Sequence, residues 1–137
     1  MKKITKEQAC STYDILKDAK TSKMSNEQIV ALVHILRALR GEHESYREFQ
    51  KEIAERLKPE SFPTIEEKIR AQVPLTPEER LVFTKYDIEC QKPTREELAK
   101  EVEVDFKPLN EEAIGKLIES NEYNASQIML LYDVVGE

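Results

Sequence analysis

From Ser25 to Leu57 one set of positions recurs at steps of three and four: Ile29, Leu32, Leu36, Leu39, His43, Tyr46, Gln50, Ile53 and Leu57. Such steps hold a stripe on one side of an α-helix. The spacing predicts a helix of roughly 33 residues, about 50 Å long at ~1.5 Å per residue. A Ser25-x-x-Gln28 capping box opens it and Lys58-Pro59 stops it. Gly41 is its weak point, costing about 1 kcal/mol relative to Ala. The register runs past the glycine, so the helix reads as continuous, with a bend or break at Gly41 as the alternative.

Shorter helices flank this rod. Thr5 to Gln8 is a first capping box, for a helix with Ala9, Tyr13, Leu16 and Ala19 facing inward. Ser61 to Pro63 reads as a turn and Thr64 to Glu67 as the cap of a short helix carrying Ile65, Ile69 and Val73. Thr76-Pro77-Glu78-Glu79 opens another helix, with proline in the first turn and acids near the positive end of the dipole. Leu81, Val82, Phe83, Tyr86 and Cys90 form its apolar side and Pro93 is expected to close it. Asn110 and Asn124 cap two last helices.

The period changes to two only at Glu101-Val102-Glu103-Val104-Asp105-Phe106, which predicts a half-buried strand. Its partner is expected either near Val73 to Leu75 or in the same strand of a second copy. The fold class is therefore all-α in a single helical domain, residues 1–137: one long central helix packed by shorter ones, with a small β element near residues 102–106.

Charge divides along the chain. Residues 1–40 hold eight Lys and Arg against four Asp and Glu, a balance of +4, and residues 96–137 hold three against eleven, a balance of −8. One copy's basic end could meet the acidic end of another copy or of a partner. The apolar runs Ile29 to Val33 and Ile128 to Tyr132 are too short to cross a bilayer, so no membrane partner is expected. The N-terminus lacks an apolar signal segment, which argues against export. Cys10 and Cys90 then read as free, buried thiols.

Few residues offer chemistry. Gly41, Gly115 and Gly136 are the only glycines, too few and too scattered for a phosphate-binding loop or a dinucleotide fingerprint. His34 and His43 lie nine apart rather than the four that place two metal ligands on one helical face. Glu101, Glu103 and Asp105 share a strand face that solvation explains. No serine sits in a nucleophile elbow. The sequence thus predicts no catalytic, cofactor or metal site, and no enzyme. The basic side chains Lys2, Lys3, Lys6, Lys17, Lys20, Lys23, Arg37 and Arg40 could meet phosphates, but a net charge of −6 opposes nucleic-acid binding.

A resemblance supplies context. Lys6-Glu7-Gln8-Ala9-Cys10-Ser11-Thr12-Tyr13, Ser22-Lys23-Met24 and Leu36-Arg37-Ala38-Leu39-Arg40 carry it near the start. Glu97 to Asp105, Leu117 to Asn121 and Gln127 to Val135 carry it towards the end. Together they resemble a group of small uncharacterised helical proteins of phages and prophages of gut bacteria. The resemblance implies the cytoplasm of an infected cell, or the virion, and an accessory part in virion assembly. The expected function is non-enzymatic protein–protein interaction, with the chain itself as a homo-oligomer or with another phage protein. The residues expected to carry it are Leu36, Leu39, Tyr46 and Ile53 on the long helix, and Val102, Val104 and Phe106 on the strand. A regulatory protein that binds nucleic acid or a host factor through its basic end is the alternative.

Overall fold

Capping chemistry sets where most helices begin. The computed structural model describes residues 2–137, in the order β1 (Lys2–Thr5), α1 (Lys6–Leu16), α2 (Asn26–Leu57), α3 (Phe62–Arg70), α4 (Pro77–Leu98), β2 (Glu101–Val104), α5 (Glu111–Ser120) and α6 (Ala125–Val135). The fold is mainly helical, as the periodicity predicts. Reciprocal capping boxes open α1 at Thr5 and Gln8, α2 at Ser25 and Gln28, and α6 at Asn124 and Gln127. Asn110 caps α5 by accepting from the Ala113 N–H. The long helix α2 is continuous through Gly41.

The chain divides into two compact units: the residues up to Tyr46 with Leu98–Glu137, and Arg47–Glu97. In the first unit β1 and β2 pair antiparallel, with Lys2 opposite Val104 and Thr5 opposite Glu101. The partner of the lone strand is thus the chain's own N-terminal segment, neither the stretch near Val73 nor a second copy. Sequence reasoning missed β1 because four residues, KKIT, are too few to show a period. Thr5 both ends β1 and caps α1, so sheet and helix share one residue.

The core of this unit gathers Leu16 of α1, Leu32, Ile35 and Leu39 of α2, Ile114 and Leu117 of α5, and Leu131, Val134 and Val135 of α6. Each such burial contributes about 1.5–3 kcal/mol. Ile35, outside the predicted stripe, is fully buried, while Leu36, inside it, is only half-buried. Asn121 ties the end of α5 to the turn after α1. Its carboxamide accepts from the Lys20 N–H at 2.9 Å and donates to the carbonyls of Lys20 and Leu117 at 3.1 and 2.8 Å.

The second unit corrects three expectations. First, α3 begins at Phe62 behind Ser61, not at Thr64. Pro63 falls in its first turn, where a missing N–H matters least. Of the three apolar residues assigned to it, Ile65 is buried, whereas Ile69 and Val73 are exposed. The helix has already ended when Gln72 takes φ 58°, a left-handed turn. Second, Pro93 lies inside α4, which runs on to Leu98. The proline removes one donor, and the Thr94 hydroxyl donates to the carbonyls of Cys90 and Gln91 at 3.0 and 2.9 Å. Third, Leu81 and Phe83 are exposed rather than turned inward.

What holds this unit is largely polar. Tyr86 donates to the Ala54 carbonyl at 2.6 Å and meets Phe62 edge-on at 4.9 Å. Glu79 accepts from the Lys68 ammonium at 2.6 Å and from the Thr76 N–H at 2.9 Å. Those bonds, the lysine's first, hold its carboxyl below the usual 4.5.

Two glycines give opposite expectations. A Cβ at Gly41 would meet nothing within 4 Å, whereas one at Gly136 would lie 2.5 Å from the Tyr132 carbonyl oxygen. Gly41→Ala should therefore raise stability by about 1 kcal/mol in urea unfolding. Gly136→Ala should lower it by about 1–3 kcal/mol, since the backbone must shift. Because the Glu79 pKa is depressed on folding, its stabilisation is fully present above the usual carboxylate range and is lost as pH falls through the folded value. Protection of the amides in α3 and the start of α4, corrected for the intrinsic pH dependence of exchange, should fall below pH 4.5 in the wild type. In Glu79→Gln, which keeps the cap without the charge, that acid dependence should flatten.

Candidate functional site

Burial uses only one side of α2, and the side opposite Leu32, Ile35 and Leu39 carries Val30, Val33 and Arg37 into solvent. Val30 is 55% exposed. From Ile29 to Leu39 almost every residue is apolar, more than one buried stripe can use. That surplus was the sequence signal for an outward apolar face.

On one flank of this face Tyr13 and Lys17 of α1 join Val33, Leu36, Arg37 and Arg40 of α2 around an open cleft of about 230 Å³. Its wall is braced by His43, whose Nε2 lies 3.2 Å from Asp14 Oδ1 and whose ring rests 4.7 Å from that of Tyr13. Cations outnumber acids at the rim. Lys17 reaches Asp14 at 3.6 Å and Arg40 reaches Glu44 at 3.9 Å, both loose and largely exposed pairs, worth little. Arg37 has no ion pair within the described residues. On the other flank Val30, Ala31 and His34 face Asp105, Phe106 and Lys107 across an open, mostly apolar cleft of about 430 Å³.

The residues expected to mediate interaction separate into two groups. Leu39, Ile53 and Val104 are buried in the chain's own packing, and Tyr46 and Val102 are half-buried. Leu36 and Phe106 line the two clefts. The eight basic residues also part. Lys17, Arg37 and Arg40 converge, whereas the Lys2 ammonium bonds the Gly136 carbonyl at 3.2 Å and the Lys6 ammonium, on a buried residue, donates to Ser45 at 3.0 Å. Lys3 pairs with Glu103 at 4.0 Å and Lys23 with Glu119 at 3.7 Å, and Lys20 is held through its backbone by Asn121.

Two further apolar surfaces were not foreseen. On α6, Met129 is 65% exposed and stands with Tyr132 and Asp133 at three- and four-residue spacing. In the second unit Leu81 and Ile88, seven apart on α4, are 72% and 59% exposed. Only Ile53 and Ile65 are buried among that unit's described residues. Among the described residues no three His, Cys, Asp or Glu side chains gather in a metal-holding group, and no helix is long and apolar enough to cross a membrane. No family model, curated protein or solved structure matches the chain.

Burial pushes the Cys10 thiol up to about 11, and Cys90, in the second unit, is also raised by burial. At pH 8 a disulfide reagent should therefore label Cys90 well before Cys10, with Cys10 reacting only as the first unit opens. Mass spectrometry of partly labelled protein checks the order.

Proposed function

We propose that this chain is a non-enzymatic assembly protein that works by binding protein. Its partner is another copy or another phage or prophage protein, and it acts in the infected cell or the virion. The observation that carries this reading is the second unit's surface. Leu81, Ile88, Ile69 and Val73 stand in water while two isoleucines alone are buried there among the described residues. Leu81 and Ile88, seven apart, share one side of α4, an exposed apolar pair that association would cover. The heptad step from Leu81 to Ile88 suits the seam of a helix laid alongside. The phage context comes from the resemblance of the two ends of the sequence.

The converging Lys17, Arg37 and Arg40 favour one second reading, contact with nucleic-acid phosphates. Three such contacts would give a slope of about −2.7 in log affinity against log salt. A net charge of −6 works against it.

Light scattering on a sizing column is the test. Protein binding to a second copy predicts a mass that climbs from 15.9 kDa with concentration and climbs less steeply in Leu81→Lys/Ile88→Lys. A mass fixed at 15.9 kDa, with duplex DNA bound at the slope above, would replace this reading with the second.

A further inference from the structure

We propose that the basic cleft of the first unit receives the α6 face of a second copy, joining copies head to tail. This rests on the self-association arm of the reading above but uses a different surface. The two patches are complementary in both apolar and charged character. The cleft offers Val33 and Leu36 as a floor, with Arg37, Arg40 and Lys17 at its rim. The α6 face offers Met129 and Tyr132 as protruding apolar groups with Asp133 beside them. A helix face with residues at i, i+3 and i+4 presents them as one stripe, the form in which amphipathic helices enter grooves.

The charges are also where such a contact needs them. Arg37 has no carboxylate of its own within the described residues, and the acids near Lys17 and Arg40 stand at 3.6 and 3.9 Å, too loose to satisfy either. Asp133 is exposed, and the Lys2 ammonium that lies in its field bonds the Gly136 carbonyl at 3.2 Å. The same polarity runs through the sequence, basic over residues 1–40 and acidic over residues 96–137. Opposite charges on two faces of one molecule steer a second copy into a single orientation. Nucleic acid fits the cleft less well, since its floor is aliphatic and Asp14 and Glu44 stand at its edge.

Cleft and stripe are different surfaces, so the contact is heterologous. A pair joined this way still has one free cleft and one free stripe between its two copies, and growth ends only if a ring closes. That geometry provides a sharp test with the full chain. Arg37→Glu/Arg40→Glu disables the cleft and Met129→Ser/Asp133→Ser disables the stripe, all at exposed positions. Each variant alone should weaken self-association at least tenfold in sedimentation velocity. An equimolar mixture of the two, each also carrying Leu81→Lys/Ile88→Lys to remove the α4 contact, has one good cleft and one good stripe per pair and should form a dimer and nothing larger. Circular dichroism checks that both retain their helices.

A second measurement needs no variant. Carbodiimide treatment of mixed ¹⁴N and ¹⁵N protein should link Lys17 of one copy to Asp133 of another. An oligomer that survives in both variants without that link would overturn the cleft–stripe contact and leave self-association standing. Wild-type protein that stays monomeric at every concentration would overturn self-association, and this contact with it.

Discussion

The first unit depends on one line of side chains, Leu32, Ile35 and Leu39, pressed from α2 into α1, α5 and α6. The line is possible because residues three and four apart share one side of a helix, and α2 is helical throughout this stretch. The Ser25–Gln28 box fixes where the ridge begins, and the Lys116 ammonium reaches Gln28 Oε1 at 3.4 Å and Glu112 at 3.0 Å, tying that cap to α5. Everything outward on α2 follows from this choice of inner face. Once Leu32, Ile35 and Leu39 turn in, Val30, Val33 and Arg37 must turn out. The clefts on either flank are the consequence of packing decided on the opposite side of the helix.

Burial is unequal between the two units. The first closes a core from two strands and four helical segments, while the second, of about fifty residues, buries only Ile53 and Ile65 among its described residues and adds caps, ion pairs and one aromatic contact. Chains of that size bury a smaller share of their surface and stand near the limit of stability without help. Polar links such as Lys68–Glu79 orient helices but contribute modestly to stability in water. The exposed Leu81 and Ile88 are thus the natural place from which missing stabilisation would come on association.

How much could be read beforehand depended on whether a feature was local. The capping boxes at Thr5, Ser25 and Asn124 and the Thr76-Pro77 start are chemistry within four residues, and each opens a helix where the sequence predicts. Gly41 was also legible, because strong helix formers on both sides outweigh one glycine. One local signal failed, the Thr64–Glu67 box, since α3 already begins at Phe62; the other failures were tertiary. Pro93 looked like a stop, but α4 runs on to Leu98, held by contacts that local spacing does not report. Val73 and Ile69 looked inward because periodicity cannot report that too little partner surface exists to cover them. The candidate site was half legible: Leu36 and Phe106 line clefts, whereas Leu39 and Val104 were spent on the core. Convergence of Lys17 with Arg37 and Arg40 required knowing that α1 lies beside α2, which no sequence spacing encodes.

Native-state hydrogen exchange in dilute protein tests most directly whether burial is as unequal as the packing indicates. Amides from Leu32 to Leu39 and from Leu131 to Val135 should exchange only through global unfolding, whereas those from Leu81 to Ile88 should exchange through a much smaller local opening. Equal protection of both sets at concentrations where the chain is monomeric would contradict this, showing that the second unit is fully stabilised without any partner.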